Sequence, residues 1–239
     1  MRQTYRGCCM KKVILSICSV VLMLFFFAPA VHADPITATY YFTSDHMTDG
    51  AGTPPFGEVV LTENASGGVV FLVSLYDDSG FIRTGAGDGM NFKFNATDVA
   101  LAEITPTTSG LAAAYAPTYQ TGTKPNGTPI YAGVFDGDGG GDFYYGVYFP
   151  SQASGGGAAI PGPIQFTVAN ATIADFTSPA QVALNGKGQI FVADIISGQT
   201  GYTGLVDVSA APVPIPAAAW LLGSGLLGLV AVRRRFTKK

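Results

Sequence analysis

From residue 36 to residue 208, apolar side chains come in short runs that Gly, Pro, Asn and Asp repeatedly interrupt. The runs 36–43, 57–63, 69–76, 90–95, 130–135, 143–149, 164–170, 189–196 and 202–208 are rich in β-branched and aromatic residues, which predicts strands. Within 69–76, Val69, Phe71, Val73 and Leu75 recur at period two, and the alternate positions Val70 and Leu72 are apolar as well. That pattern predicts a central strand covered on both faces. Phe92 and Phe94 point one way, which sends Lys93 to water. Helical signals are few: a turn over 178–184 opened by Ser178-Pro179, and another over 111–115. Many short strands without alternating helices predict an all-β fold, an antiparallel β-sandwich or jelly roll. No period marks a propeller or a solenoid. Two stretches read as connectors, a Gly/Ala/Pro-rich loop over 151–163 and a proline-rich stalk over 209–216.

The two ends follow a different pattern. Arg2, Arg6, Lys11 and Lys12 precede an apolar run over 13–28, and Val31-His32-Ala33 then places small residues where a signal peptidase reads. This predicts a secretory signal peptide over 1–33, cleaved after Ala33, with no lipobox cysteine. At the other end, Pro212-Val213-Pro214-Ile215-Pro216 leads into an apolar run over 217–232, stopped by Arg233-Arg234-Arg235. As a helix those 16 residues reach roughly 24 Å against a hydrocarbon core of roughly 30 Å, a marginal span. Trp220 suits the outer interface, and the arginines with Lys238 and Lys239 suit the cytoplasmic side. Gly223, Ser224, Gly225 and Gly228 give the segment a small-residue face. A plain membrane anchor and a processing signal both fit. The layout is a signal peptide at 1–33, a β ectodomain at 34–208, the stalk at 209–216, and a single hydrophobic helix with a basic tail at 217–239.

The tail Val213-Pro214-Ile215-Pro216-Ala217, its hydrophobic continuation, and Arg233, Arg234 and Arg235 closely resemble the PEP-CTERM sorting domain, in its Val-Pro-Leu-Pro-Ala (VPLPA-CTERM) form. The resemblance covers roughly a tenth of the chain, and Ile215 stands where the commonest form has Glu. It implies recognition by an exosortase, a membrane-embedded cysteine transpeptidase of Gram-negative bacteria that also make exopolysaccharide. As with a GPI signal, a hydrophobic tail that is removed leaves a mature protein without a transmembrane helix. The stretches Thr43-Ser44-Asp45-His46, Phe56-Gly57, Thr84-Gly85-Ala86-Gly87 and Phe191-Val192-Ala193-Asp194-Ile195 are similar to N-terminal regions of exported proteins with this tail. That likeness implies no activity.

Composition narrows the picture further. Cys8, Cys9 and Cys18 all lie in the signal, so disulfides cannot staple the ectodomain. Only Arg83, Lys93, Lys124 and Lys187 oppose the sixteen acids between the two ends, a net charge of −12. So acidic a body argues against nucleic acid or an anionic membrane as partner. His46 is the one histidine after the signal, in a polar stretch that reads as loop. A histidine-rich zinc site is therefore excluded, and no Gly-x-Ser-x-Gly elbow supports a serine triad.

Asp136-Gly137-Asp138-Gly139-Gly140-Gly141-Asp142 is the candidate metal loop, with Asp136, Asp138 and Asp142 as oxygen donors for calcium. It lacks the Glu that closes an EF-hand loop, and a tight Gly/Asp hairpin explains the same residues. Asp77-Asp78-Ser79-Gly80 is a weaker stretch of the same kind and reads first as a plain turn. Tyr144, Tyr145, Tyr148 and Phe149 fit either a sugar-binding platform or half-buried sheet faces. Asn-x-Ser/Thr triplets at Asn64, Asn95, Asn126 and Asn170 read as chance in a chain this rich in Gly, Asn and Thr.

Together these features lead us to expect an exported protein without enzymatic activity or catalytic residues. It is held transiently at the inner membrane, processed by an exosortase, and associated with the cell surface, exopolysaccharide or biofilm matrix of a Gram-negative bacterium. A calcium-assisted carbohydrate-binding module or adhesin is the alternative. A polysaccharide-active enzyme would require two carboxylates about 5–10 Å apart in a cleft.

Overall fold

The computed structural model describes residues 35–84, 88–137, 139, 141–155, 158–177 and 189–209. Ala33, the stalk after Ser209, the sorting motif from Val213 to Arg235, the residues 178–184 and Asp138 lie outside them. Among the described residues no helix is long and apolar enough to cross a membrane.

The described chain is antiparallel β-structure with few helical turns, as the strand pattern predicts. One sheet has five strands. β1 (Thr37–Phe42) pairs β3 (Gly57–Asn64), which pairs β4 (Gly68–Leu75); β14 (Ile164–Ala169) follows, and β7 (Ile104–Pro106) forms the far edge. The second sheet runs from β2 (Ser44–Asp45) through β16 (Thr203–Ser209), β15 (Gln189–Ile196), β6 (Phe92–Phe94) and β13 (Tyr145–Tyr148) to β8 (Ala112–Tyr115). β5 (Gly80–Phe81) adds to β15. Two small hairpins stand apart from both sheets: β9 (Gln120–Thr123) with β10 (Pro129–Tyr131), and β11 (Phe135–Asp136) with β12 (Asp142–Phe143). A single helical turn, α1 (Ala174–Thr177), follows β14.

Alternation decides which side chains meet between the sheets. In β1, Ala38, Tyr40 and Phe42 are buried while Thr37, Thr39 and Tyr41 are exposed. The inward sets of both sheets share one core, centred on phenylalanines. Phe71 stacks on Phe166 at 4.5 Å between ring centroids and meets Phe176 edge-on at 4.8 Å. Phe94 joins from the opposite sheet, stacked on Tyr145 at 5.5 Å. Offset and edge-to-face geometries of this kind add to plain area burial. This aromatic contact is how a chain without disulfides in its body holds two sheets together.

Three expectations need correction. Residues 112–115 form the edge strand β8 and not a helix, because they pair in register with β13, from Tyr115 opposite Tyr145 to Ala112 opposite Tyr148. β4 is central, but its second face is only half-buried at Val70 and Leu72. The strand buried on both faces is β15, where every residue from Ile190 to Ile195 is buried. Lys93, expected in water, is 0% exposed.

Candidate functional site

The outer face of the larger sheet explains Lys93. Register places Gly146, Lys93, Val192, Asp207 and Ser44 in one row across five strands, all on the side away from the aromatic core. Part of the excursion between β8 and β13, the strands β11 and β12 with Phe135 and Phe143, folds back over this face. Phe143 packs there on Val192 and Leu205, and Phe135 packs on Met90 and Ala114. Lys93 and Asp207 in the row are thus buried, and Ser44 at its end is half-buried.

Each group finds a partner. Lys93 Nζ donates to the Asp136 carbonyl at 3.0 Å. Asp207, 0% exposed, takes a hydrogen bond from Ser44 Oγ on one carboxylate oxygen at 2.6 Å. Its other oxygen lies 2.6 Å from His46 Nε2, whose side chain is 26% exposed. His46 is therefore the partner of a buried anion and not an ordinary loop residue. Ser44 and His46 sit on opposite oxygens of one carboxylate, so the hydroxyl is directed to Asp207 and not to the imidazole. A nucleophilic triad has histidine between serine and acid; the order here is Ser–Asp–His, which suits solvating a buried carboxylate.

The acidic glycine loop belongs to the same region. Asp136 and Asp142 are direct cross-strand partners in the β11–β12 hairpin, so their side chains share one face. Gly137 N donates to Gly141 O at 2.6 Å, and a Cβ on Gly137 would sit 2.6 Å from that carbonyl and 2.9 Å from the Phe143 ring. Gly139, at φ +93°, passes so near His46 that a Cβ there would be 3.1 Å from Nδ1. The hairpin is strapped down at three points. Lys93 holds the Asp136 carbonyl, the Asp88 carboxylate accepts from Asp136 N at 2.6 Å, and Asn95 Nδ2 donates to Asp142 O at 3.1 Å. Two features bear on calcium in opposite directions. The paired carboxylates of Asp136 and Asp142 offer adjacent oxygen donors, whereas Lys93 occupies the Asp136 carbonyl with a positive charge. Among the described residues no three His, Cys, Asp or Glu side chains converge as a metal group.

The aromatic stretch after this loop is not an exposed platform. Tyr145 and Phe149 face the core, and Tyr148 lies half-buried under Arg83, whose guanidinium carbon is 5.3 Å from the ring centroid. The Asn-x-Ser/Thr asparagines serve the backbone. Asn64 Oδ1 accepts from Ser66 N and Gly68 N, Asn126 Oδ1 from Thr128 N, and Asn95 Oδ1 from Tyr144 N. Asn170 adopts φ 53° and donates to Glu103.

Sequence reasoning missed Asp207 as the partner of both His46 and Ser44. The signal was parity: Asp207 stands two residues after the apolar Leu205, on the same face of its strand, and a carboxylate on an apolar face needs compensating donors. No family model, no curated protein and no solved structure matches this chain.

Proposed function

We propose that this chain is an exported, non-enzymatic protein of a Gram-negative cell envelope or extracellular matrix. In this reading the signal over 1–33 directs export, the tail from Val213 to Arg235 delivers the chain to an exosortase-type transpeptidase, and the β domain works outside, beside exopolysaccharide. The observation that carries the reading is the ordered tail of proline stalk, Ala-rich start, apolar run and arginine stop. An acidic, cysteine-free β body is in keeping with such a destination. Intact mass of the protein recovered from membrane, surface and medium fractions of an exosortase-bearing host tests it. The expected product begins after Ala33 and lacks the arginines; a product still ending at Lys239 in the inner membrane overturns the processing step.

A second reading, calcium-assisted carbohydrate binding, draws on the cross-strand Asp136/Asp142 pair, which offers two carboxylates on one face of a glycine-rich hairpin. Calcium should then raise the melting temperature of the wild-type chain and leave the Asp136→Ala/Asp142→Ala variant unchanged. No calcium-dependent shift in the wild type removes this reading.

A further inference from the structure

Two surface features are complementary in shape and charge. The first is the β9–β10 hairpin, which pairs with neither sheet and has six of its seven strand residues exposed. It presents Ile130 at 41% and Tyr131 at 52% exposure, and Lys124 at its turn. Of the described cations, Lys93 is buried and Arg83 is half-buried, so Lys124 is the exposed one, in a body of net charge −12. No described acid contacts its ammonium. A two-stranded hairpin uncovered on both faces is marginal in water.

The second feature is a groove of about 710 Å³ lined by Pro54, Pro55, Tyr76, Asp77, Asp78 and Gln199. Its walls are held in place before anything binds. Gln199 Oε1 accepts from Thr53 N, and Gln199 Nε2 donates to Thr53 O and to Asp77 Oδ2. A Cβ on Gly198 would overlap the Asp77 carbonyl at 1.7 Å, so two loops meet there main chain to main chain. The prolines and the Tyr76 ring offer apolar surface. Asp77 and Asp78 supply two exposed carboxylates with no described cation beside them.

We propose that the β9–β10 hairpin of one copy docks into this groove on a second copy, Lys124 against Asp77 and Asp78, and Ile130 or Tyr131 against Pro54, Pro55 and Tyr76. The net acidic bodies repel one another, and among the described residues a cation-tipped arm and a cation-free acidic groove are the complementary pair. Arm and groove are different patches, so the contact is heterologous and propagates head to tail. It adds to the proposed function and does not rest on the sorting route.

Sedimentation of the full chain in mild detergent, with more than one micelle per chain, tests this. The mass per particle should climb past two copies with concentration at low salt and return to monomer at high salt, since exposed charges are screened. Lys124→Glu should be monomeric throughout, as should Asp77→Lys/Asp78→Lys, while an equimolar mixture of the two variants should assemble again. Asp77 and Asp78 lie at φ 53° and 57°, where Asn is better tolerated than Lys. Asp77→Asn/Asp78→Asn is therefore the groove variant for use if the lysines prevent folding, and it should weaken assembly at least tenfold. Any of four results overturns the proposal: a monomeric wild type, a mass that stops at two, assembly that survives Lys124→Glu, or a folded Asn variant that assembles like wild type.

Discussion

Asp207 is out of reach of solvent, and its charge is met by one hydroxyl and one imidazole. Removing a partner from a buried carboxylate leaves an uncompensated charge, and for fully buried pairs this costs about 3–5 kcal/mol. His46 is partly exposed, so His46→Ala should cost less, about 2 kcal/mol in urea unfolding. A double-mutant cycle with Asp207→Asn should show a coupling well above the scatter of independent sites; simple additivity would mean that the contact is energetically idle. Tyr145 is a second buried titratable group. Burial, then repulsion from Tyr115, Glu103 and Asp98, pushes its phenol up to about 12. Its hydroxyl donates to the Val99 carbonyl. The folded value lies above the ordinary 10, so the stability it confers is complete below pH 10 and is lost as pH rises toward about 12. Tyr145→Phe should flatten stability against pH in that window, and a wild-type curve equally flat there would contradict the assignment.

At the scale of elements, Arg83 fastens the segment between β5 and β6 to the loop that follows β13. Its Nε donates to Gly89 O at 2.9 Å, its Nη1 to Phe149 O at 3.2 Å and Gln152 O at 3.3 Å, and its plane lies over Tyr148. Beneath it, buried Asn91 links Ile82 O, Gln152 Oε1 and Phe149 N. A lysine cannot reproduce a planar fork that reaches several carbonyls while stacking on a ring. Arg83→Lys should therefore lower stability by about 1.5–3 kcal/mol, the scale of charge-assisted hydrogen bonds. It should also speed amide exchange at Phe149 and Gln152; an unchanged melting temperature would show the clamp to be redundant. Element types were largely legible from alternation, as in 57–64 and 189–196, where β-branched and aromatic residues fill short windows. Residues 112–115 were not, because Ala-Ala-Ala-Tyr carries little strand preference and takes that form only through pairing with β13.

For the whole molecule, the scarcity of exposed cations has a direct consequence. Brief acetylation of the folded chain should label Lys124 ahead of Lys93, because a lysine at an exposed hairpin turn is accessible while the other is buried. Mass spectrometry of the labelled protein checks this; early labelling of Lys93 would mean that the β11–β12 hairpin opens readily. Chemistry read over short windows came from sequence alone: the all-β character, the inward sets such as Phe92 with Phe94, the Gly/Asp hairpin over 136–142, and the placement of charge along the chain. Strand order was settled by tertiary structure, since β4 lies beside β14, and β6 between β15 and β13, through contacts between residues far apart in sequence. So was the fate of each outward face. Alternation tells which residues share a side, but covering that side takes a distant segment. The strands β11 and β12 fold over the Lys93 row, where Lys93 and Asp207 are buried, while Val70 and Leu72 stay half-buried.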